Sequence, residues 1–190
     1  ALTYALAPAG SGLDDNAGVD VADAGVTDAP LFEIDPVTAQ LRVTGRVDLD
    51  YESRDTYVLA LTVTDGGGLS AAANVTVTLL DVNEYPSLAD ITVEVRENSP
   101  VATVVGDPLV ATDPDIGQFH LYTMIRNTHG DLFKLGACSG QLEVAVAALD
   151  FETRDLYDLL VTVTDDGVDP YHLSDEAAVR VIVIDVNEPP

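Results

Sequence analysis

One internal repeat constrains the fold of this 190-residue chain more than any other feature of its sequence. The segment LDYESRDTY at 49–57 aligns with LDFETRDLY at 149–157, an offset of 100 residues. Further matched pairs at nearly the same offset are LFE (31–33) with LFK (132–134), QLRV (40–43) with QLEV (141–144), and LTVTD (61–65) with VTVTD (161–165). A repeat of this length is typical of whole domains in tandem, not of a solenoid of short units. The sequence therefore predicts two similar domains, 1–85 and 86–190.

Each repeat reads as a set of short β-strands. The segment VLALTV at 58–63 is rich in aliphatic and β-branched residues, and Gly-rich or Asp-Gly turns follow such runs at 66–68 and 165–167. No segment combines helical spacing of apolar residues with capping residues. The pattern predicts the all-β class, with two tandem Greek-key β-sandwich domains of immunoglobulin-like architecture.

The two repeats are predicted to differ at their starts. The first lacks a segment matching the strand-like ITVEV at 91–95, and its first strand-like run, LTYAL at 2–6, opens the chain. The sequence is therefore expected to be a piece of a longer protein. A loop rich in Ala, Gly and Asp is predicted for 7–30, an interval that the second repeat crosses in few residues.

The charge balance limits the partners that the chain can bind. The formal net charge is −25, from 33 acidic residues against eight Lys and Arg. Nucleic acid is excluded because binding it requires Lys and Arg to neutralise phosphates, and an anionic membrane surface is disfavoured for the same reason. Cys138 is the single cysteine, so no intrachain disulfide is possible, and we interpret it as an inert thiol. No apolar run has the length of a membrane span.

The acidic stretch DVNE occurs twice, at 81–84 and 185–188, each time after a strand-like run and shortly before a proline. Its acids repel one another and are poor strand formers. Their recurrence at the same place in each repeat predicts a site that a cation fills. Carboxylate, amide and carbonyl oxygens are the ligands that Ca²⁺ prefers, and the absence of His and Cys from the motif argues against zinc or copper.

A series of short motifs follows in a fixed order along the chain: LDYE (49–52), DVNE (81–84), EN (97–98), ATDPD (111–115), LDFE (149–152), TD (164–165) and DVNE (185–188). In this order, and twice at domain spacing, the motifs resemble those of two tandem cadherin repeats. The resemblance covers essentially the whole chain. It implies a cadherin-type β-sandwich for each domain and Ca²⁺ ions bound between successive repeats.

The resemblance also implies the ligands. At the junction between the two repeats it implies backbone carbonyls at Val82 and Tyr85 and the side chains of Asp50, Glu52, Asp81, Asn83, Glu84, Asp113, Asp115 and Asp165. A second implied set forms the upper half of a further junction: Glu97, Asp150, Glu152, Asp185, Asn187 and Glu188. The segment IGQF at 116–119 is shorter than the usual form of the family, so no carbonyl ligand is assigned to it. The first repeat has no counterpart of Glu97.

The function implied by the resemblance is calcium-dependent cell–cell adhesion, with Ca²⁺ stiffening the linker between repeats. The protein is then expected to be the extracellular part of a membrane-anchored cell-surface protein, with other cadherin-type ectodomains as homophilic or heterophilic partners. The main alternative is a non-adhesive, calcium-stiffened spacer in a large surface or secreted protein. An enzyme is not expected, because the paired acids, which resemble those of a glycosidase, are explained as ligands. Asn74 begins a glycosylation sequon, and its use stays open.

Overall fold

The structure, a computed structural model, describes residues 1–6, 31–45, 49–127 and 130–188. The loop predicted for 7–30 lies outside these ranges. The described residues form β-strands, turns and irregular segments, without a helix. The chain divides into two compact units, Ala1–Asp81 (unit 1) and Val82–Pro190 (unit 2), so most of the linker stretch groups with unit 2.

Unit 1 contains two antiparallel sheets. Its described strands are β1 (Thr3–Leu6), β2 (Phe32–Ile34), β3 (Leu41–Val43), β4 (Thr56–Thr64) and β5 (Ser70–Thr78). One sheet has the order β1-β4-β5, and β2 pairs with β3 in the other. Side chains from both sheets meet in a core, where Phe32 packs edge-on against Tyr57 with ring centroids 5.3 Å apart, beside the fully buried Leu59.

Asp35 fixes the turn between β2 and β3. Its Oδ1 accepts hydrogen bonds from the N–H groups of Thr38 (2.8 Å) and Val37 (2.9 Å). These bonds, that from Thr38 above all, favour the ionised carboxylate and hold the pKa of Asp35 below its usual value. The turn returns the chain to β3 in register, with Ile34 opposite Leu41.

Unit 2 is a sandwich of two sheets. Its described strands are β6 (Ile91–Arg96), β7 (Val104–Val105), β8 (Leu121–Asn127), β9 (Phe133–Leu135), β10 (Leu142–Val144), β11 (Leu156–Thr164) and β12 (Ser174–Ile184). One sheet has the order β6-β12-β11-β8 and the other β7-β10-β9. The first and last of these strands, β6 and β12, pair in parallel, whereas the other neighbours are antiparallel.

The alternation of side chains along β12 shows why these residues form a half-buried strand. Ala177, Val179, Val181 and Val183 are at most 1% exposed, while the residues between them are more exposed. Successive side chains of a strand point to opposite faces, so this pattern buries one row of small and β-branched side chains. Side chains from both sheets join a single core cluster, which includes Leu149 of the LDFE motif.

Five strands recur in the two units. Judged by position and pairing, β1 to β5 correspond to β8 to β12. Neither β6 nor β7 has a counterpart among the described residues of unit 1. The structure confirms the predicted all-β class and the two tandem β-sandwich units.

Candidate metal centres

The LDYE and LDFE motifs form the same turn in the two units. Asp150 Oδ2 accepts a hydrogen bond from Thr153 Oγ1 (2.8 Å), and its Oδ1 accepts one from the Thr153 N–H (3.0 Å). Asp50 accepts the equivalent bonds from Ser53 at 2.7 and 3.2 Å. The hydrogen bond from the hydroxyl contributes most to lowering the pKa of each aspartate, and the hydrogen bond from the N–H group contributes next. Each aspartate is thus held ionised in its own turn, and the glutamate of each motif is exposed.

Three acids of unit 2 converge beyond the ends of β6 and β12. One carboxylate oxygen from each of Glu97, Glu152 and Asp185 lies within 4.8 Å of the others. We call this group the Glu97 cluster. Glu97 is only 3% exposed; its Oε1 accepts a hydrogen bond from the Val186 N–H (2.7 Å) and its Oε2 one from the Phe151 N–H (2.9 Å). Glu97 therefore ties the LDFE turn to the DVNE stretch and brings their acids together.

The electrostatics of the Glu97 cluster are unbalanced. The ion pairs found in the described part of the chain are His120–Asp113, Lys134–Glu143 and Arg180–Asp158, and none includes a member of the cluster. A backbone hydrogen bond lowers the pKa of Glu152, but desolvation and the charges of neighbouring acids, Glu97 first among them, raise that pKa above its usual value overall. Repulsion between neighbouring carboxylates therefore contributes to the raised pKa, after desolvation.

The remaining residues of the second predicted set are not among these three acids. Glu188 Oε1 accepts a hydrogen bond from Asn98 Nδ2, Asn187 is exposed, and Asp150 is engaged in its turn. The structure therefore brings together three of the six residues that the sequence placed in this set.

Asn83 of the linker is buried against the turn that follows β11. Its Nδ2 donates hydrogen bonds to Asp165 Oδ2 (3.1 Å) and to the Pro170 carbonyl (3.0 Å). Asp165 is 3% exposed, and its Oδ1 accepts hydrogen bonds from the N–H groups of Gly167 (3.1 Å) and Leu173 (2.9 Å). A Cβ added at Gly167 would collide with the Asn83 amide, so glycine there leaves the room that Asn83 occupies.

Asp115 has one carboxylate oxygen without a partner. The residue is 6% exposed, and its Oδ2 accepts a hydrogen bond from the Glu84 N–H (2.8 Å). Its N–H donates to Asp113 Oδ1 (3.0 Å). Its Oδ1 is buried and has no hydrogen-bond partner among the described residues. A buried carboxylate oxygen is unfavourable unless a donor or a cation meets it, so this orphaned oxygen fits a hard cation such as Ca²⁺.

Two residues beside Asp115 were missed by the sequence reasoning. His120 Nε2 lies 2.9 Å from Asp113 Oδ2, and Gln118 Nε2 donates a hydrogen bond of 2.6 Å to Asn83 Oδ1. The unusual length of the loop after Asp115 was the one signal that this region differs. Residue spacing does not tell which side chains of an irregular loop fold inward.

The other predicted ligands at the linker lie on the surface of their units. Glu52 and Asp81 of unit 1 are exposed, and so are the side chains of Val82 and Tyr85 in unit 2. Asp65, which matches Asp165 in the repeat, accepts hydrogen bonds at its Oδ1 from the N–H groups that follow it, at 2.8 and 2.9 Å. The same aspartate-centred turn is therefore present in both units.

Comparisons with known proteins agree with this architecture. A family model described as "Cadherin domain" matches residues 10–80 and 91–184. Cadherin-22 of Homo sapiens is 33% identical over 179 residues, which cover 84% of this chain and 21% of that protein. Cadherin-24 of Mus musculus is 36% identical over 180 residues, which cover 85% of this chain and 22% of that protein. The chain spans about a fifth of the length of these curated relatives.

Solved structures share the fold at lower identity. Human Protocadherin-24 EC1-2 gives a TM-score of 0.73 at 20% identity, over 98% of this chain and 83% of that chain. Extracellular cadherin domains 1-5 of Protocadherin Gamma B2 give 0.71 at 22% identity, over 98% of this chain and 34% of that chain. Among the described residues, no helix is long and apolar enough to cross a membrane.

Proposed function

This chain belongs to the cadherin family, and on that premise we propose that its two repeats bind Ca²⁺ through the acidic stretches that end them. The observation that carries the proposal is the Glu97 cluster, in which three carboxylates converge within 4.8 Å. Ca²⁺ takes about six to eight oxygen ligands, many of them carboxylates, and its charge would turn the repulsion between these acids into attraction. The buried, unpartnered Oδ1 of Asp115 supports the same chemistry beside the linker.

The proposed ligands are those that the family resemblance implies. Around the linker they are the side chains of Asp50, Glu52, Asp81, Asn83, Glu84, Asp113, Asp115 and Asp165 and the carbonyls of Val82 and Tyr85. At the Glu97 cluster they are Glu97, Asp150, Glu152, Asp185, Asn187 and Glu188. The bound ion supplies the positive charge that these residues lack, and we assign no catalytic role to any of them.

We propose that this binding stiffens the linker between the repeats. Without calcium the linker acids repel each other, and domains joined by a short polar connection move relative to one another by default. Ions shared by ligands from both repeats would restrict that motion. Small-angle scattering should then show a narrower distribution of shapes with Ca²⁺ than with chelator, and Mg²⁺ should substitute poorly because it demands tighter octahedral geometry. An equally broad distribution at saturating Ca²⁺ would rule out the stiffening.

At the level of the whole protein we propose calcium-dependent cell–cell adhesion. The protein would be a membrane-anchored cell-surface molecule whose extracellular repeats bind other cadherin-type ectodomains. Family membership supports this, because the cadherin domain model and named cadherins match the chain, and protocadherin and desmocollin structures share its fold. Beads coated with the full-length ectodomain should aggregate in Ca²⁺ and disperse in chelator. Dispersed beads in Ca²⁺, with linker stiffening intact, would favour the spacer alternative.

Calcium binding itself is tested by a pair of matched variants. Asp165 and Asp65 occupy equivalent turns and accept equivalent backbone hydrogen bonds. Asp165 is a proposed ligand at the linker, whereas Asp65 is not in either ligand set. Asp165→Asn should weaken Ca²⁺ binding by about tenfold or more, because charged ligands tune calcium affinity, and Asp65→Asn should leave it unchanged. Calorimetric titration measures both, and equal losses from the two variants would show that the ligands are wrongly assigned.

A further inference from the structure

The loop between Asp115 and β8 holds one side chain inward. Ile116 and Phe119 are 96% and 78% exposed, whereas Gln118 between them is partly buried. Gly117 has a φ of +95°, a conformation that favours glycine and turns the chain at this point. The loop is held on its other side by a hydrogen bond of 2.8 Å from the Phe119 N–H to an aspartate carboxylate. The short loop therefore places the Gln118 amide against the linker.

The Gln118 amide is only half satisfied. Its Nε2 donates a hydrogen bond of 2.6 Å to Asn83 Oδ1, while its Oε1 is buried without a partner. Asp115 shows the same pattern, since its Oδ2 accepts a hydrogen bond from the Glu84 N–H and its Oδ1 is orphaned. These are the two buried side-chain oxygen or nitrogen atoms without a partner in the described part of the chain. Both belong to side chains held by consecutive linker residues, Asn83 and Glu84.

Two orphaned oxygens on side chains bonded to neighbouring linker residues call for a group that bonds to oxygen. A cation does so, and beside carboxylates a hard divalent cation is favoured over an anion. We propose that Gln118 Oε1 is a ligand of the Ca²⁺ ion bound at Asn83 and Asp115. It would replace the main-chain carbonyl ligand for which no residue could be assigned in this shortened loop. The inference rests on the proposed function, and it adds a ligand that neither ligand set contains.

A side-chain amide is a chemically equivalent replacement for a main-chain carbonyl. Both offer a neutral, hard oxygen, so the exchange leaves the charge of the site unaltered. The terminal torsion of a glutamine side chain is broad, so a rotation of the Gln118 amide would let Oε1 and Asn83 Oδ1 face the same ion. The alternative role is structural: Gln118 serves only as the donor that orients Asn83.

Two substitutions separate the ligand role from the donor role. Gln118→Met keeps the length of the side chain and removes its oxygen, whereas Gln118→Glu keeps an oxygen and loses the N–H donor. Calorimetric Ca²⁺ titration should show about tenfold weaker binding for Gln118→Met and undiminished or tighter binding for Gln118→Glu. Gln141→Met is the control, since the Gln141 amide donates to the backbone carbonyls of Gly106 and Leu142, neither of which is a proposed ligand. It should bind Ca²⁺ as the wild type does.

Melting curves complete the test. The deficit of Gln118→Met should appear with Ca²⁺ and be small with chelator, because a ligand stabilises only through the ion it binds. Equal weakening by Gln118→Met and Gln118→Glu, or a deficit that is the same in chelator, would assign Gln118 the donor role and overturn the proposal. Unchanged affinity in Gln118→Met, with Asp165→Asn weakened, would overturn this inference alone. A wild-type chain that binds no Ca²⁺ would overturn the proposed function and this inference together.

Discussion

Glu97 gives a sharp test of what stabilises unit 2 in the absence of calcium. We expect Glu97→Ala to lower the free energy of unfolding, and to lower it more as the salt concentration rises. The substitution leaves the N–H groups of Phe151 and Val186 without their acceptor. It also removes one of three converging negative charges. Losing the acceptor destabilises the unit, whereas removing a charge relieves repulsion and stabilises it. Salt weakens mainly the repulsion.

The expected magnitude follows from the two donors. A buried donor left without a partner costs about 1–3 kcal/mol, so two donors cost about 2–6 kcal/mol. Both hydrogen bonds are only part-buried, which favours the lower half of that range, about 2–4 kcal/mol. The relieved repulsion offsets part of this cost at low salt, because the carboxylate oxygens lie within 4.8 Å of one another. These separations are well below the Debye length of about 10 Å at 0.1 M salt, whereas at 1 M the Debye length falls to about 3 Å and the repulsion is screened more strongly.

The assay is urea unfolding in chelator, followed by circular dichroism at about 0.1 M and about 1 M NaCl. Glu94→Ala is the matched control, because Glu94 is an exposed acid on β6, the strand that leads to Glu97. Its change with salt measures how screening acts on the large net charge and is subtracted. A cost of Glu97→Ala that stays constant or shrinks at high salt would refute the account of hydrogen bonds opposed by repulsion.

Three further predictions concern the core, the linker contact and pH. Leu149→Ala, at a core position 1% exposed, should cost about 2–5 kcal/mol in urea unfolding, and a cost below about 1 kcal/mol would contradict the burial. Gly167→Ala should destabilise unit 2 by about 1–3 kcal/mol, because the added Cβ meets Asn83. Gly67→Ala is the control and should lower the stability less, because its Cβ has no contact closer than 3.3 Å. Folding lowers the pKa of Asp35, so its carboxylate stabilises unit 1 at pH values above the unfolded-state pKa of about 3.9. This contribution to stability is lost as the pH falls through the lower folded-state pKa. Thermal melts between about pH 5 and pH 2 should therefore show a smaller loss in Asp35→Asn than in the wild type, and equal losses would be inconsistent with the shift.

The fold could be read from the sequence because its signals are local and repeated. The LDYE turn recurs as LDFE 100 residues later, and the alternating run that became β12 has a counterpart before the first DVNE stretch. Repetition turns these weak patterns into a strong one. The pairing of β6 with β12 could not be read in this way. Parallel pairing between strands about 90 residues apart depends on the whole sandwich and not on any local pattern.

The sequence predicted which residues belong to the candidate site better than it predicted how their side chains are arranged. The sequence placed Glu97, Glu152 and Asp185 in one ligand set, and the structure brings their carboxylates together; that they bind an ion stays a prediction. Asp150 was placed in the same set, but its carboxylate accepts hydrogen bonds within its own turn. Gln118 was not placed at all. Its position depends on how a short loop closes over the linker, and only tertiary packing decides that.

The parallel pairing of β6 and β12 also determines how unit 2 responds to tension. β6 is the first strand of unit 2 along the chain and β12 is its last described strand. The two strands run side by side in the same direction, with aligned pairs from Ile91 and Val179 to Arg96 and Ile184. A pull on the two ends of the unit therefore slides these strands past each other along their length. The hydrogen bonds between the two strands are then loaded together and do not open one at a time. A pulling force on the unit is therefore borne by β6 and β12, the pair of strands farthest apart in its sequence.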